Sequence, residues 1–140
     1  MTRTVLYTLL MLALLSSAWA RDTAGVTETE VLAQSIHSWN GELLPAYPGG
    51  QPEVRILRIR IPAGARLPTH HHPVINAGVL TEGELTVVSD TGERLHLRAG
   101  DAIVERVNRW HYGQNEGSVP AEIIVFYAGV SGTPITVLEQ

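Results

Sequence analysis

From residue 54 onward the chain is a series of short segments rich in β-branched or alternating residues, each followed by a turn signal that contains glycine. Such signals recur roughly every 8–12 residues, which favours an antiparallel sandwich or barrel. No segment after residue 40 has a helical period, and no internal repeat divides the chain. We therefore predict an all-β fold in a single domain. The turns contain Gly64, Gly83, Gly92, Gly100, Gly117 and Gly132.

The first predicted strand begins near Val54 and alternates between apolar and charged residues. This pattern predicts a half-buried strand whose isoleucines face the core and whose arginines face solvent or a partner. Before it, a segment rich in proline and glycine between residues 41 and 52 predicts a loop, and residues 28–38 could form a short helix or strand with Val31, Leu32 and Ile36 inward. In the first strand the isoleucines interleave with the arginines, and the alternation slips near Leu57. The isoleucines are Ile56, Ile59 and Ile61, and the arginines are Arg55, Arg58 and Arg60.

The N-terminus has the three-part layout of a secretory signal peptide. Arg3 supplies a positive charge, residues 5–15 are almost wholly apolar, and the small residues Ala18 and Ala20 predict cleavage after Ala20. The apolar core is shorter than the roughly 20 residues that cross a bilayer. We therefore predict a signal peptide at 1–20, an N-terminal extension and loop at 21–52, and a β-barrel domain at 53–140.

The composition excludes several classes of function. The chain has no cysteine, so disulfides, thiolate metal sites and cysteine nucleophiles are excluded, and a metal would need histidine, carboxylate or amide ligands. The net charge is −4, and the ten basic residues, all arginine, are scattered. We therefore expect a small-molecule partner, no nucleic acid, and no membrane association after signal cleavage. An exported chain without cysteine is expected in the bacterial periplasm or secreted.

Three of the six histidines have a spacing that suits a metal site. His70 and His72 are two residues apart in an extended segment, so both imidazoles leave the same face of the strand. His111 follows about forty residues later and could close a three-histidine site if the barrel folds back on itself. Such a trio suits a divalent ion of iron, manganese, nickel, copper or zinc. The alternative is a surface tract of histidines. No ligand role is expected for His37, His71 and His96.

With these residues the sequence resembles the cupins over roughly residues 54 to 130, and in particular the small single-domain members with one conserved barrel. The first cupin motif has glycine, His-x-His, glutamate and glycine, and here Gly64, His70, His72, position 76 and Gly83 fall in that register. In the second motif, Gly100, His111 and Asn115 match at the family's spacings. The resemblance implies a double-stranded β-helix, or jelly roll, that holds one metal ion inside the barrel.

Two positions depart from the family pattern. Asn76 stands where the family usually has its glutamate ligand, and Arg106-Val107-Asn108 replaces the usual Pro-x-Gly turn. A neutral amide is a weaker donor than a carboxylate, so we expect the site to bind its metal less tightly. Either Asn76 is a weak fourth ligand or leaves that position to water, or the metal has been lost and the pocket binds a small molecule.

Glu105 is the candidate catalytic residue. It lies six residues before His111 and follows Ala102-Ile103-Val104, where an acidic group is unexpected if the stretch faces the core. It could orient a ligand imidazole, act as a general base or replace the lost carboxylate. The alternative is an outward residue paired with Arg106 or Arg109.

Four further expectations concern neighbouring side chains. Trp110 and Tyr112 flank His111 and should project to the opposite face, where they pack between sheets or in a subunit contact. Asn115 should tie a loop together by hydrogen bonds. Arg58 and Arg60 should be solvated unless they bind a substrate carboxylate inside the barrel. The arginine strand and Trp110 are the candidate contacts of a homodimer.

The sequence thus predicts an exported cupin with a mononuclear divalent-metal site formed by His70, His72 and His111, with Asn76 as the fourth ligand or its vacancy. The resemblance implies an oxygenase-like or isomerase/lyase-like enzyme acting on a small molecule. The alternative is a non-catalytic periplasmic module that binds a small ligand or a metal.

Overall fold

A computed structural model describes residues 25–140, and the predicted signal peptide lies outside this range. The described chain is all-β, as predicted, and within it no helix is long and apolar enough to cross a membrane. The boundary between extension and barrel at residue 53 stays a prediction. The strands are β1 (Pro52–Ile61), β2 (His70–His71), β3 (Ile75–Glu82), β4 (Glu84–Ser89), β5 (Arg94–Arg98), β6 (Ala102–Val104), β7 (His111–Gln114), β8 (Ala121–Val130) and β9 (Val137–Leu138).

The strands form two antiparallel sheets, with the order β1-β8-β3-β6 in the first and β5-β4-β7-β2-β9 in the second. Strand β8 shows why the sequence folds this way, because its buried and less buried residues alternate with the period of two that a sheet requires. The inward side chains of both sheets form one apolar core. Its members include Ile61, Leu80, Leu85, Leu97, Ile103, Ile123 and Val125.

The predicted slip in β1 is wrong. Strand β1 pairs with β8 without interruption from Pro52 opposite Val130 to Ile61 opposite Ala121, so side chains alternate strictly along it. Leu57, Ile59 and Ile61 share the inward parity, whereas Ile56 lies on the outer face and is 64% exposed. The inward position that the pattern assigned to Ile56 is taken by its neighbour Leu57.

The N-terminal extension forms neither the helix nor the strand predicted for residues 28–38. Val31, Leu32 and Ile36 are exposed, because the segment finds no partner strand against which to bury them. A short turn follows, closed by hydrogen bonds from Ser38 N to Glu42 O and from Leu44 N to Ile36 O. The extension is fastened to the barrel immediately after this segment.

Candidate metal centre

Three histidines meet inside the barrel. His70 in β2 lies directly opposite His111 in β7, and His72 follows β2 in a parallel bridge with Val107. One nitrogen from each ring lies within 4.8 Å of one from each of the others, and all three residues are buried. The spacing of His70 and His72 thus brings both imidazoles to the face where His111 arrives. This group could hold a metal ion, and its role as the ligand set stays a prediction.

The backbone sets the orientation of each ring. The Nδ1 atoms of His70 and His72 lie 2.7 Å from the carbonyl oxygens of Pro68 and Ile135, and His111 Nδ1 lies 3.0 Å from that of Arg109. A carbonyl oxygen only accepts hydrogen bonds, so each Nδ1 carries the proton and each Nε2 keeps a free lone pair. Three unprotonated Nε2 atoms therefore converge in the barrel.

The electrostatics keep these imidazoles neutral. Burial lowers the pKa of His70, His72 and His111 below the usual histidine range, and that of His72 falls to about 3. The charged form is disfavoured because it would lose its hydration, and because the other rings would repel it. At neutral pH all three rings are in the form that binds a metal.

Glu105 faces the histidines, not the arginines. It follows β6, its side chain is 12% exposed, and Oε2 lies 3.6 Å from His111 Nε2. Burial raises the pKa of Glu105 to about 7. Oε2 and His111 Nε2 are both shielded from solvent and have no hydrogen-bond partner. Two such acceptor atoms side by side are unfavourable unless a proton or a cation lies between them.

Asn76 is also turned inward, on β3, and it is 1% exposed. Its Nδ2 lies 3.4 Å from the Val74 carbonyl oxygen, and its Oδ1 is buried without a partner. The Asn76 backbone oxygen accepts a hydrogen bond of 3.1 Å from Glu105 N, so the two residues are neighbours across the β3–β6 ladder. The ligand role of Asn76 stays a prediction.

The residues present fit a divalent metal ion. Among residues 25–140, two buried polar atoms without partners lie 3.6 Å apart at this place, Glu105 Oε2 and His111 Nε2. A third such atom, Asn76 Oδ1, belongs to the residue whose backbone oxygen is bonded to Glu105 N. Unpaired buried acceptors cost free energy, and an ion among them would satisfy their lone pairs. Neutral imidazoles with an oxygen donor suit borderline divalent metals and do not select among them.

A cavity of about 240 Å³ adjoins the histidines and Glu105. Tyr127 lines it, and its ring meets that of His72 edge to face at 5.4 Å between centroids. Burial raises the pKa of Tyr127 to about 12, so the hydroxyl keeps its proton. Tyr127 was not among the predicted site residues. The alternation of β8 was the signal that could have found it, since Ile123, Val125 and Tyr127 share one face.

Trp110 and Tyr112 project away from His111, as expected, but their partners are two side chains of the same chain and not the facing sheet. Trp110 packs on His71 at 4.5 Å between ring centroids, and Tyr112 lies under the Arg66 guanidinium at 3.5 Å, on the face opposite His111. Asn115 is fully buried and ties its loop: its Nδ2 donates to the carbonyls of Ile61 and Val119, and its Oδ1 accepts from Gly117 N. Arg58 and Arg60 are exposed on the outer face.

The two facing sheets and the buried histidine group define a small β-barrel protein of the kind that can hold one metal ion among imidazoles. A family model described as "Cupin domain" matches residues 57–127. The chain belongs to the cupin family, and the predicted double-stranded β-helix is confirmed. No curated protein sequence matches the chain.

Solved structures with similar folds include enzymes of the family. An oxalate oxidase in complex with the substrate analogue glycolate is 26% identical, with a TM-score of 0.51 over 61% of this chain and 45% of its own. A DMSP lyase from Ruegeria pomeroyi is 19% identical, with a TM-score of 0.54 over 74% and 48%. The chain thus spans less than half the length of either enzyme.

A third similar structure is covered over almost the whole of its own length. It is an uncharacterized conserved protein with a double-stranded β-helix domain from Klebsiella pneumoniae. The two are 20% identical, with a TM-score of 0.53 over 79% of this chain and 99% of that one. This match shows the fold alone.

Proposed function

We propose that this protein is an exported metalloenzyme in which His70, His72 and His111 hold one divalent metal ion beside a small-molecule pocket. One observation carries the proposal: three unprotonated Nε2 atoms converge because each Nδ1 is bound to a backbone carbonyl. In this site a bound ion would supply Lewis-acid chemistry, or redox chemistry with an open coordination position, beside the pocket. The signal-peptide pattern at residues 1–20 supports a periplasmic or secreted location.

Glu105 is the residue proposed to handle protons. Its carboxylate borders the cavity, and Oε2 has no hydrogen-bond partner among the described residues. It would accept a proton from a substrate carbon or oxygen held beside the histidines, which is the role of a general base. Family membership and the likeness to an oxalate oxidase support an oxygenase-like reaction, and an isomerase/lyase-like reaction is the variant that needs no oxidant.

Metal content tests this proposal. The protein is purified without an affinity tag or chelator, and iron, manganese, nickel, copper and zinc are measured by mass spectrometry. We expect about one ion per chain, lost in His70→Ala and His111→Ala because each removes a converging nitrogen. His96→Ala is the matched control, since His96 lies on the surface beside Glu84. A metal-free protein whose thermal stability ignores added metal and chelator would overturn the metal site.

A second candidate function is a non-catalytic binding module, which Asn76 favours because a site without the glutamate ligand holds its ion less tightly. The two functions differ in whether the ion would keep an open coordination position. Nitric oxide added to the iron(II) protein without oxygen tests this. The characteristic electron paramagnetic resonance signal of an iron–nitrosyl would support the enzyme, and its absence would favour the module.

A further inference from the structure

The chemistry of the cavity wall indicates what the site accepts. We infer that the substrate has a short hydrocarbon body, one oxygen-bearing head group that reaches the histidines, and no second anionic group. This inference rests on the proposed metal centre and adds the class of substrate.

The polar lining of the cavity is confined to the neighbourhood of the histidines. Glu105 lies beside His111, Tyr127 meets the ring of His72, and Thr136 Oγ1 is 3.3 Å from His72 Nδ1. The remaining lining residues are aliphatic side chains, one proline and one glycine. Both sheets supply the aliphatic wall, with Ile59, Ile61, Ile123 and Val125 from the first and Leu85 and Val87 from the second.

No positive side chain offers itself to a second anionic group. The chain has no lysine, and none of the arginines within residues 25–140 lines the cavity. Arg106 is buried but held by Glu42 and Asp90, and Arg66 lies over Tyr112. A carboxylate placed against the aliphatic wall would lose its hydration without gaining a partner, which is strongly unfavourable.

The size of the cavity limits the hydrocarbon body. Its volume of about 240 Å³ lies below the usual range for ligand sites, about 300–1,000 Å³. Leu57 and Leu138 line the cavity and are themselves exposed, so its mouth is aliphatic too. Oxalate consists of two carboxylates and has no hydrocarbon, so the likeness to an oxalate oxidase does not extend to the substrate.

A series of metal-binding probes tests the inference. The full protein is loaded with cobalt(II), whose visible spectrum reports changes in coordination, and titrated with aceto-, butyro-, pentano- and hexanohydroxamate. Each buried methylene should tighten binding about fourfold. The monohydroxamate of succinic acid places a carboxylate where pentanohydroxamate has its chain end, and should bind at least about 100-fold more weakly than pentanohydroxamate.

A substitution at the mouth gives a matched pair of variants. Leu57→Arg puts a cation on the lining and should improve the affinity for the succinic probe about tenfold, while weakening that for hexanohydroxamate. Ile56→Arg changes the preceding residue, whose side chain lies on the outer face, and should leave both affinities unchanged. Both positions are exposed, so both variants should fold, which circular dichroism checks.

The outcomes separate the two proposals. Failure to bind cobalt overturns the proposed function and the inference with it. Three results would overturn the substrate class and leave the metal centre standing, provided that cobalt binds. They are hydroxamate affinities that do not change with chain length, equal affinities for pentanohydroxamate and the succinic probe, and no spectral response to acetohydroxamate.

Discussion

Asn76 on β3 and Glu105, which directly follows β6, are joined by a backbone hydrogen bond, and the acidic group near the histidines is on Glu105 and not on residue 76. The family's usual glutamate position holds an amide, while a carboxylate reaches the histidines from the end of β6. A glutamate at the buried position 76 should restore the set of metal ligands that is usual in the family.

Asn76→Glu should therefore tighten the binding of divalent metal roughly tenfold, because a charged oxygen replaces a neutral one. Competition with a chelator of known affinity measures the change. Asn76→Gln is the control, since it adds the same length without charge. Unchanged affinity in Asn76→Glu would mean that the side chain points away from the ion.

Glu105→Gln should separate function from stability. The amide keeps the size of the side chain but removes a buried carboxylate that has no partner in the metal-free protein. We expect the metal-free variant to be about 1–3 kcal/mol more stable at pH 8, and to bind metal or catalyse more weakly. Urea unfolding in chelator and metal titration give the two quantities. A variant less stable than the parent would contradict this.

At the scale of elements, Arg106 joins three parts of the chain. Its guanidinium donates to Glu42 in the N-terminal extension at 3.0 and 3.2 Å, and to Asp90 after β4 at 2.6 Å. Arg106 is 2% exposed and lies on the connection between β6 and β7. It thus fixes the extension and the loop that leads to His111.

Arg106→Met should lower the free energy of unfolding by about 1–3 kcal/mol, since it keeps much of the apolar volume and removes charged hydrogen bonds. Hydrogen bonds from Arg106 lower the pKa of Glu42 and Asp90. The contribution is therefore complete above the unfolded pKa values near 4 and disappears as the pH falls through the lowered folded values.

Urea unfolding at pH 7 and pH 3 measures this difference. Arg94→Met is the matched control, because its ion pair with Glu116 is half exposed and should contribute little. A loss of stability in Arg106→Met that is equal at both pH values would contradict the electrostatic explanation.

The sequence predicted which segments form strands better than it predicted which side chains of a strand face the core. The parity of His70 and His72 follows from the period of a strand, so their convergence was predictable. The inward place of Leu57 was not, because apolar residues occur on both parities of β1 and only the ladder with β8 decides between them. The carbonyl partner of the His72 ring was also beyond prediction, since Ile135 is distant in sequence from His72.

For the whole molecule, pairing of two chains stays a prediction, and the structure changes its proposed contacts. Trp110 packs on His71 within the chain, so the outer face of the first sheet is the better candidate. Strand β1 is the edge of that sheet, and Val54, Ile56 and Phe126 are exposed on it. An exposed apolar patch at an open sheet edge is typical of a subunit contact.

Sedimentation equilibrium should therefore give twice the mass of one mature chain. Phe126→Asp should reduce this to one chain, because it places a charge opposite Ile56 on the exposed face. Val119→Asp is the control, as Val119 is equally accessible outside the sheet. A parent protein with the mass of one chain would exclude the pairing.

The carbonyl of Ile135, which orients His72, comes from the segment that leads into β9. His72 therefore cannot take its final orientation until this last part of the barrel has been synthesised and laid beside β2. In the proposed metal site, an ion would therefore bind well only to a chain whose last segment is in place. A nascent or C-terminally clipped molecule would carry the same histidines without orienting them, and the ion would stabilise only the finished barrel.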